Sequence, residues 1–302
     1  MQYEKEIPLE DQQESEEISI EFLSCTDVSN IVMACDSKAN SLKLIDISSV
    51  LWKTIKPCDV NRHILSATQL LTFPNMGMKQ IVICEEFSPP GQRFIEVTLY
   101  ETGNLWENKG LLWKDVIKIA QIQHHYLWAE IFETHKLILV GCHAFSSIFI
   151  MTLSDQGKKL HLNKESMLPY PYYTMAVISE QKNPRVAISL QDYTIRIATV
   201  NSELGLEFLQ KLRPGSFTNL LLHLPGWNIL LSFVSIQQMI SGFIMENGKI
   251  IKSHEKNLCP ISGTAPWCWT LVNVKNSNDE MDNMSIVMLN KEVGKLQVYS
   301  LK

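Results

Sequence analysis

The chain has 302 residues, is 45% hydrophobic and 20% charged, and carries a formal net charge of −5. That balance suits a globular protein long enough to bury a core without disulfide or metal. No block of positive charges occurs, which argues against a body that neutralises nucleic-acid phosphates, and no apolar run approaches the roughly 20 residues needed to span a bilayer.

The first seventeen residues, MQYEKEIPLEDQQESEE, hold seven acids, one lysine and almost no large apolar side chains. Such a segment cannot offset its ordering entropy by burial, so residues 1–17 read as a disordered acidic leader and 18–302 as the folded domain. From Ile18 onward one motif repeats: a short apolar strand, a polar break, another strand. The first group is ISIEFLS (18–24), NIVMACD (30–36), SLKLIDI (41–47) and LWKTI (51–55). The second is LSATQLLTF (65–73), QIVICE (80–85), RFIEVTLY (93–100) and GLLW (110–113). In the stretch that follows, KDVIKIAQIQHHYLWAEIF, a helix is drawable, but Val116, Ile117, Ile119 and Ile122 suit a strand, which is preferred.

The third group is YLWAEIFE (126–133), KLILVGC (136–142), SSIFIMTL (146–153) and KKLHL (158–162). A fourth runs YTMAVIS (173–179), RVAISL (185–190), TIRIATV (194–200) and LEFLQKL (206–212). The fifth is FTNLLLHL (217–224), WNILLSFV (227–234), ISGFIM (240–245) and KIIKS (249–253). The last has three members: WCWTLVNV (267–274), MSIVML (284–289) and KLQVYSL (295–301).

These runs are short, rich in β-branched and aromatic residues, and many alternate with a period of two. Groups begin near 18, 65, 126, 173, 217 and 266, intervals of about 45 to 60 residues, the length of a four-stranded propeller blade. The expected fold is therefore an all-β propeller of six or seven four-stranded blades. Strands hidden in 101–126 or 254–266 would make the seventh. The three-membered last group and the upstream run ISIEFLS point to a ring closed by pairing of N- and C-terminal strands. Two tandem β-sandwiches are the structural alternative, but no mid-chain linker is visible. The WD dipeptide and GH signature of the commonest propellers are absent.

Chemistry is sparse. The seven cysteines lack CxxC spacing and sit mostly in apolar runs, so they read as buried reduced thiols of a reducing compartment. His124, His125, His135 and His143 crowd one region without ligand spacing, and read as solvated loop histidines with no metal. No nucleophile elbow, P-loop or dinucleotide motif occurs, so neither catalysis nor a cofactor is expected. Glu85 and Glu86 are strand neighbours facing opposite ways, and read as a solvated strand end. PYPYY (169–173), APWCW (265–269) and Trp227 after Pro225-Gly226 supply aromatic, proline-flanked segments. Such segments either pack between blades or line a peptide-docking groove.

The stretch IVMACDSKANSLKLIDISSVLWKTI (31–55) resembles the opening blade of a known family: the C-terminal WD40-like propeller of the partner and localiser of the breast cancer type 2 susceptibility protein. It shares an IV-x-AC-acid strand, a Ser-Leu strand and a Trp-containing fourth strand. LLTFPNMGMKQIVIC (70–84) is similar to that family's next strand pair, and residues 167–200 to its fourth blade. The ending GKLQVYSLK matches its terminal Gly-x-x-x-V-Tyr strand. The resemblance implies a seven-bladed nuclear scaffold in homologous recombination that grips an amphipathic segment of the breast cancer type 2 susceptibility protein. Recombinase-related proteins are further implied partners. Carried over, the peptide-binding positions are Pro184, Arg185, Ile197, Leu206 and Leu222. Arg185 departs from the small apolar residue of the family, and would crowd an apolar pocket or suit it to an acidic partner. The family's long N-terminal region has no counterpart here. A generic propeller adaptor of a ubiquitin ligase, trafficking coat or RNA-processing complex fits the composition equally well, and an enzyme would need acids converging in a central channel.

Overall fold

A computed structural model of the chain describes residues 2–8, 20–26, 30–36, 39–57, 62–70, 79–88, 90, 92, 94–102, 111–120, 127–132, 135–142, 146–154, 159–179, 183–214, 218–234, 239–254, 268–274, 283–290 and 295–301. Within them lie six four-stranded antiparallel sheets, three in each of two compact units. Six separate sheets replace the paired sheets that a sandwich would need. The stretch 255–266, in which a seventh blade was allowed for, lies outside the described residues.

The first unit comprises residues 1–123 and 266–302. It opens with β1 (Gln2–Pro8) and continues with β2 (Ile20–Cys25), β3 (Ile31–Asp36), β4 (Ser41–Asp46) and β5 (Leu51–Pro57). Next come β6 (Arg62–Leu70), β7 (Lys79–Phe87), β8 (Phe94–Thr102) and β9 (Leu111–Ala120), so the ambiguous stretch after Trp113 is strand, as preferred, as far as Ala120, while residues 121–126 lie outside the described residues. Strands β2–β5 and β6–β9 each form a sheet in chain order. The third sheet gathers β22 (Cys268–Val274), β23 (Asn283–Asn290) and β24 (Lys295–Ser300), with β1 as its outer strand.

N- and C-terminal strands thus pair as expected, but the reading of the leader needs correction. The closing strand is Gln2–Pro8, inside the segment read as disordered, and ISIEFLS instead supplies the first strand of its own sheet. One apolar side chain anchors β1: Ile7, fully buried among Ile20, Val32, Ile45, Val287 and Leu296. Its charges are also used. Lys295 Nζ lies 2.5 Å from Glu6 Oε2, and Lys5 donates to the carbonyl of Ile47.

A second correction concerns Glu85. It is no solvated strand end: its side chain is fully buried, directly opposite the buried Glu96 in the β7–β8 ladder. Thr98 donates to Glu85 at 3.2 Å, and Lys118 sits 3.6 Å from Glu96. Glu86, facing the other way, is half-buried. A further buried ion pair lies in the β3–β4 hairpin, where Lys43 Nζ is 3.3 Å from Asp36 Oδ2 and both side chains are at most 4% exposed.

The second unit, residues 124–265, has the same plan. Its first sheet is β10 (Leu127–Phe132), β11 (Leu137–Cys142), β12 (Ser147–Leu153) and β13 (Leu160–Met167). Then come β14 (Tyr172–Ser179), β15 (Arg185–Leu190), β16 (Thr194–Val200) and β17 (Leu206–Leu212). The third sheet is β18 (Thr218–Leu224), β19 (Ile229–Val234), β20 (Met239–Glu246) and β21 (Lys249–His254), with a 3₁₀ turn at Pro225–Trp227.

The middle sheet shows why RVAISL is an unbroken apolar run. Val186 and Ile188 pack on one side against Leu139, Ile148 and Ile150, while Ala187 packs on the other against Leu221, Leu230 and Phe243. A strand buried on both faces has no reason to alternate. Each large aliphatic side chain so buried contributes roughly 1.5–3 kcal/mol, and this sandwiching of neighbouring sheets is the main source of stability.

One contact between sheets depends on a glycine. A Cβ on Gly141 would stand 2.4 Å from the ring of Tyr172, itself 1% exposed in the core. The substitution Gly141→Ala is expected to cost about 2 kcal/mol in urea unfolding, because a close-packed ring must leave its rotamer. The double variant Gly141→Ala/Tyr172→Leu should cost less than the sum of the two singles; strict additivity would show that the ring moves freely.

Candidate functional site

Three hairpin ends of the second unit converge on a cavity of about 710 Å³. Its apolar lining is Leu137, Pro184, Val200, Leu204 and Leu209, and its polar rim includes His135, Asn183, Asn201, Arg185 and Glu207. All three ends are built by local chemistry. Pro184 enters β15 with its carbonyl accepting from Thr199 Oγ1 at 2.9 Å and from the Val200 N–H at 3.1 Å. At the β16–β17 turn Asn201 Oδ1 accepts the N–H groups of Glu203 at 3.1 Å and Gly205 at 2.9 Å. This Asx-type turn carries Leu204 into the left-handed region at φ 55°, which few bulky residues adopt, and sets its side chain half-buried beside the cavity. Lys136, also at positive φ (53°), makes the β10–β11 turn beside His135.

Across the sheet, Arg185 pairs with Thr199 and Thr199 with Glu207, so the three side chains stand in one row on one face. The guanidinium of Arg185 donates to the carbonyl of Asn247 in the β20–β21 turn and lies against Gly248, where an added Cβ would meet it at 2.8 Å. No carboxylate stands within ion-pair range of Arg185, nor any cation within range of Glu207, among the described residues. Arg185 therefore does not fill the cavity; it lines its edge while reaching towards the third sheet, with no ion-pair partner among the described residues.

The positions carried over from the resemblance separate into two sets. Pro184 and Arg185 line the cavity, and Leu206, half-buried, follows directly on its Leu204–Gly205 turn. Ile197 is fully buried in the core between the second and third sheets of this unit, and the half-buried Leu222 lies on β18. Neither lines the cavity. Asn201, Leu204 and Glu207 were missed; the turn-forming string NSELG was the one available signal.

The aromatic segments also divide. Tyr172 is core, whereas Tyr170 and Tyr193 are 47% and 58% exposed at the end of the middle sheet away from the cavity. Burial and the neighbouring Tyr193 raise the Tyr173 hydroxyl above its ordinary pKa. Beside them, burial would raise the Asp192 carboxyl, but the Thr194 hydroxyl, Arg196 and Lys211 together hold it below its usual range. Trp269 is buried and Trp227 is 45% exposed, while Trp267 lies outside the described residues. Of the cysteines, Cys35, Cys84 and Cys268 are buried free thiols. Of the crowded histidines only His135 is described.

No protein-family model matches the chain, and no curated protein matches it. Solved structures do. The chain is similar to the β-propeller domain of Cps50 (Swd1) from Myceliophteria thermophila, at 9% identity over 94% of this chain and 83% of that one, with a TM-score of 0.54. It is similar to Sqt1 of Saccharomyces cerevisiae at 9% identity, over 99% of both chains, with a TM-score of 0.52. It also resembles the WD40 domain of SCAP from fission yeast at 11% identity, over 98% of this chain and 64% of that one, with a TM-score of 0.54. Likeness at such low identity shows the fold: an all-β, WD40-type propeller whose blades are the six sheets described above.

Proposed function

We propose that this chain is a non-enzymatic scaffold that holds a short segment of a partner protein in the cavity rimmed by Arg185 and Glu207. The observation that carries this reading is the cavity itself: about 710 Å³, floored by Leu137, Pro184, Val200 and Leu204, with two charges that have no partner among the described residues. An apolar floor with a few polar groups on its rim is the usual make-up of a binding site. The propeller fold supports the scaffold role by analogy alone.

The test is photo-crosslinking from within the cavity. A benzophenone amino acid at the exposed Ser202 or Leu209 should trap a specific protein that the same group at the exposed Ile251 of β21 does not. The purified segment so identified should bind at least about tenfold more weakly to Leu204→Asp, a loss above the hot-spot threshold. Aspartate tolerates the left-handed turn but loses the packing of Leu204 on the core, so urea unfolding of the variant is measured alongside to separate lost binding from lost fold. Equal trapping from all three positions would sink the reading.

A finer version keeps the partner that the resemblance implies, the breast cancer type 2 susceptibility protein, in nuclear homologous recombination alongside recombinase-related proteins. The presence of both Pro184 and Arg185 on the cavity wall favours it; six described blades instead of seven weigh against it. Trapping of a recombination protein from nuclear extract supports this version. A ubiquitin-ligase, trafficking or RNA-processing subunit would replace it with the adaptor reading.

A further inference from the structure

We infer that the seam between the second and third sheets of the second unit is a site for internal water, held by the hydroxyls of Thr174, Ser189, Thr218 and Ser232. The site is independent of what the cavity binds. All four residues are at most 2% exposed. Their faces follow from register. Thr174 stands directly opposite Ser189 in the β14–β15 ladder, two residues along from the opposed pair Ala176 and Ala187. Those alanines pack with Leu221 and Leu230 of the third sheet, so Thr174 and Ser189 face it too. On the third sheet Ser232 opposes Leu221 and lies two residues from Leu230, while Thr218 opposes position 234, two residues further on. Both therefore face back towards β14 and β15.

The two halves are tied together by Ser189, whose hydroxyl donates to the carbonyl of Thr218. Opposed side chains on neighbouring strands have Cβ atoms about 5 Å apart and diagonal ones about 7–8 Å, so the four hydroxyls border one small space. Three of their oxygens have nothing there to bond. Thr174 Oγ1, Thr218 Oγ1 and Ser232 Oγ are buried with no hydrogen-bond partner among the described residues. A hydroxyl so placed has given up its bonds to bulk water and gained none in return, where valine or alanine would fill the same place without that cost. Water satisfies all three. It donates two bonds and accepts two, and a hydroxyl does both, so about one or two molecules bridge the sheets.

The surroundings select water over an ion. In the middle sheet the row through Thr174 and Ser189 continues to Ile195 and Leu212. In the third sheet Ser232 lies between Leu221 and Ser241. None of these neighbours is ionisable. A cation set among neutral oxygens would lose its hydration with no counter-charge to offset the loss, whereas water brings no charge.

The test is oxygen-17 magnetic relaxation dispersion, which counts long-lived internal waters, on the full chain and its variants, with crystal structures of wild type and Thr174→Val/Ser232→Ala. Wild type should show water within about 3.2 Å of the three oxygens. The double variant should lose dispersion amplitude equivalent to about one water or more. Thr174→Ser, which keeps the oxygen, should keep the amplitude. Thr174→Val alone preserves shape and carries the comparison if the double variant does not fold. Equal amplitude in wild type and the valine variants, an equal loss in Thr174→Ser, or hydroxyls bonded directly to protein groups with no water between them overturns the inference. So does an ion in the seam: Tm should match in sodium, potassium and choline chloride, and a rise of more than about 2 °C with one metal alone would mean that the site selects a cation.

Discussion

Lys43→Met is expected to lower the unfolding free energy by about 3–5 kcal/mol, the cost of leaving a buried charge without its partner. Asp36 and Lys43 are 2% and 4% exposed and 3.3 Å apart in the β3–β4 hairpin. Water supplies neither charge, so the attraction between them offsets a desolvation penalty of several kcal/mol on each ion. Removing the lysine leaves the buried carboxylate without its counter-ion, and Asp36→Asn does the same to the ammonium. The double variant Asp36→Asn/Lys43→Met removes both charges and keeps an oxygen to accept the Ala39 N–H that Asp36 Oδ1 takes at 3.3 Å. It should recover most of the loss, giving a coupling energy of at least about 2 kcal/mol in a double-mutant cycle. Urea titration of the four proteins measures this. Additive losses would mean that the two side chains do not depend on each other.

That ion pair also shows where sequence reading stops. The run SLKLIDI places Lys43 and Ile45 on one face and Leu42 and Leu44 on the other, so period-two alternation predicts a half-buried strand with Lys43 exposed. In the structure both faces are covered by neighbouring sheets, and the lysine is buried beside its own strand's Ile45. The blade spacing was legible because each sheet needs four short strands, and turns must interrupt them at regular intervals. Strand β1 was not, since its composition is that of a solvated tail. A single isoleucine, an edge ladder with β24 and the Glu6–Lys295 pair hold it, and pairing to a distant strand leaves no local trace. The opposition of Glu85 and Glu96 is likewise a matter of register between two strands, invisible until the hairpin is aligned. The cavity was half legible. Pro184 and Arg185 came from collinear likeness, while Asn201, Leu204 and Glu207, all of the β16–β17 hairpin, reach it only once that hairpin folds beside the β10–β11 turn. Ile197 lies in the core for an ordinary reason: the two isoleucines of the I-x-I strand share one face, both are fully buried, and the sequence gives no sign whether that face meets solvent or a neighbouring sheet.

Acid should weaken the fold through one imidazole. His223 on β18 is held with its pKa lowered from 6.5 to about 4, chiefly because burial penalises the imidazolium; a hydrogen bond to the backbone of Val177 opposes that only in part. Val177 belongs to β14, which packs against β18, so protonation places a charge between the innermost strands of two neighbouring blades. The folded pKa lies below the unfolded one, so the fold prefers the neutral ring. Its contribution is therefore complete above about pH 6.5 and is lost progressively as the pH falls through about 4. A tenfold difference in proton affinity between the folded and unfolded chain is worth about 1.4 kcal/mol. The loss therefore reaches about 2 kcal/mol by pH 5 and about 3 kcal/mol near pH 4. Carboxylates elsewhere titrate in the same range, so the comparison has to be made against His223→Gln, which keeps a donor for the Val177 carbonyl but does not titrate. At pH 7 the wild type should be the more stable of the two, since glutamine fits the site less well than the native ring. The gap should then shrink by about 2 kcal/mol on going to pH 5, and wild type should fall below the variant if the glutamine penalty is smaller than that. A gap that stays constant from pH 7 to pH 4 would place the imidazole in contact with water and remove it from the acid response.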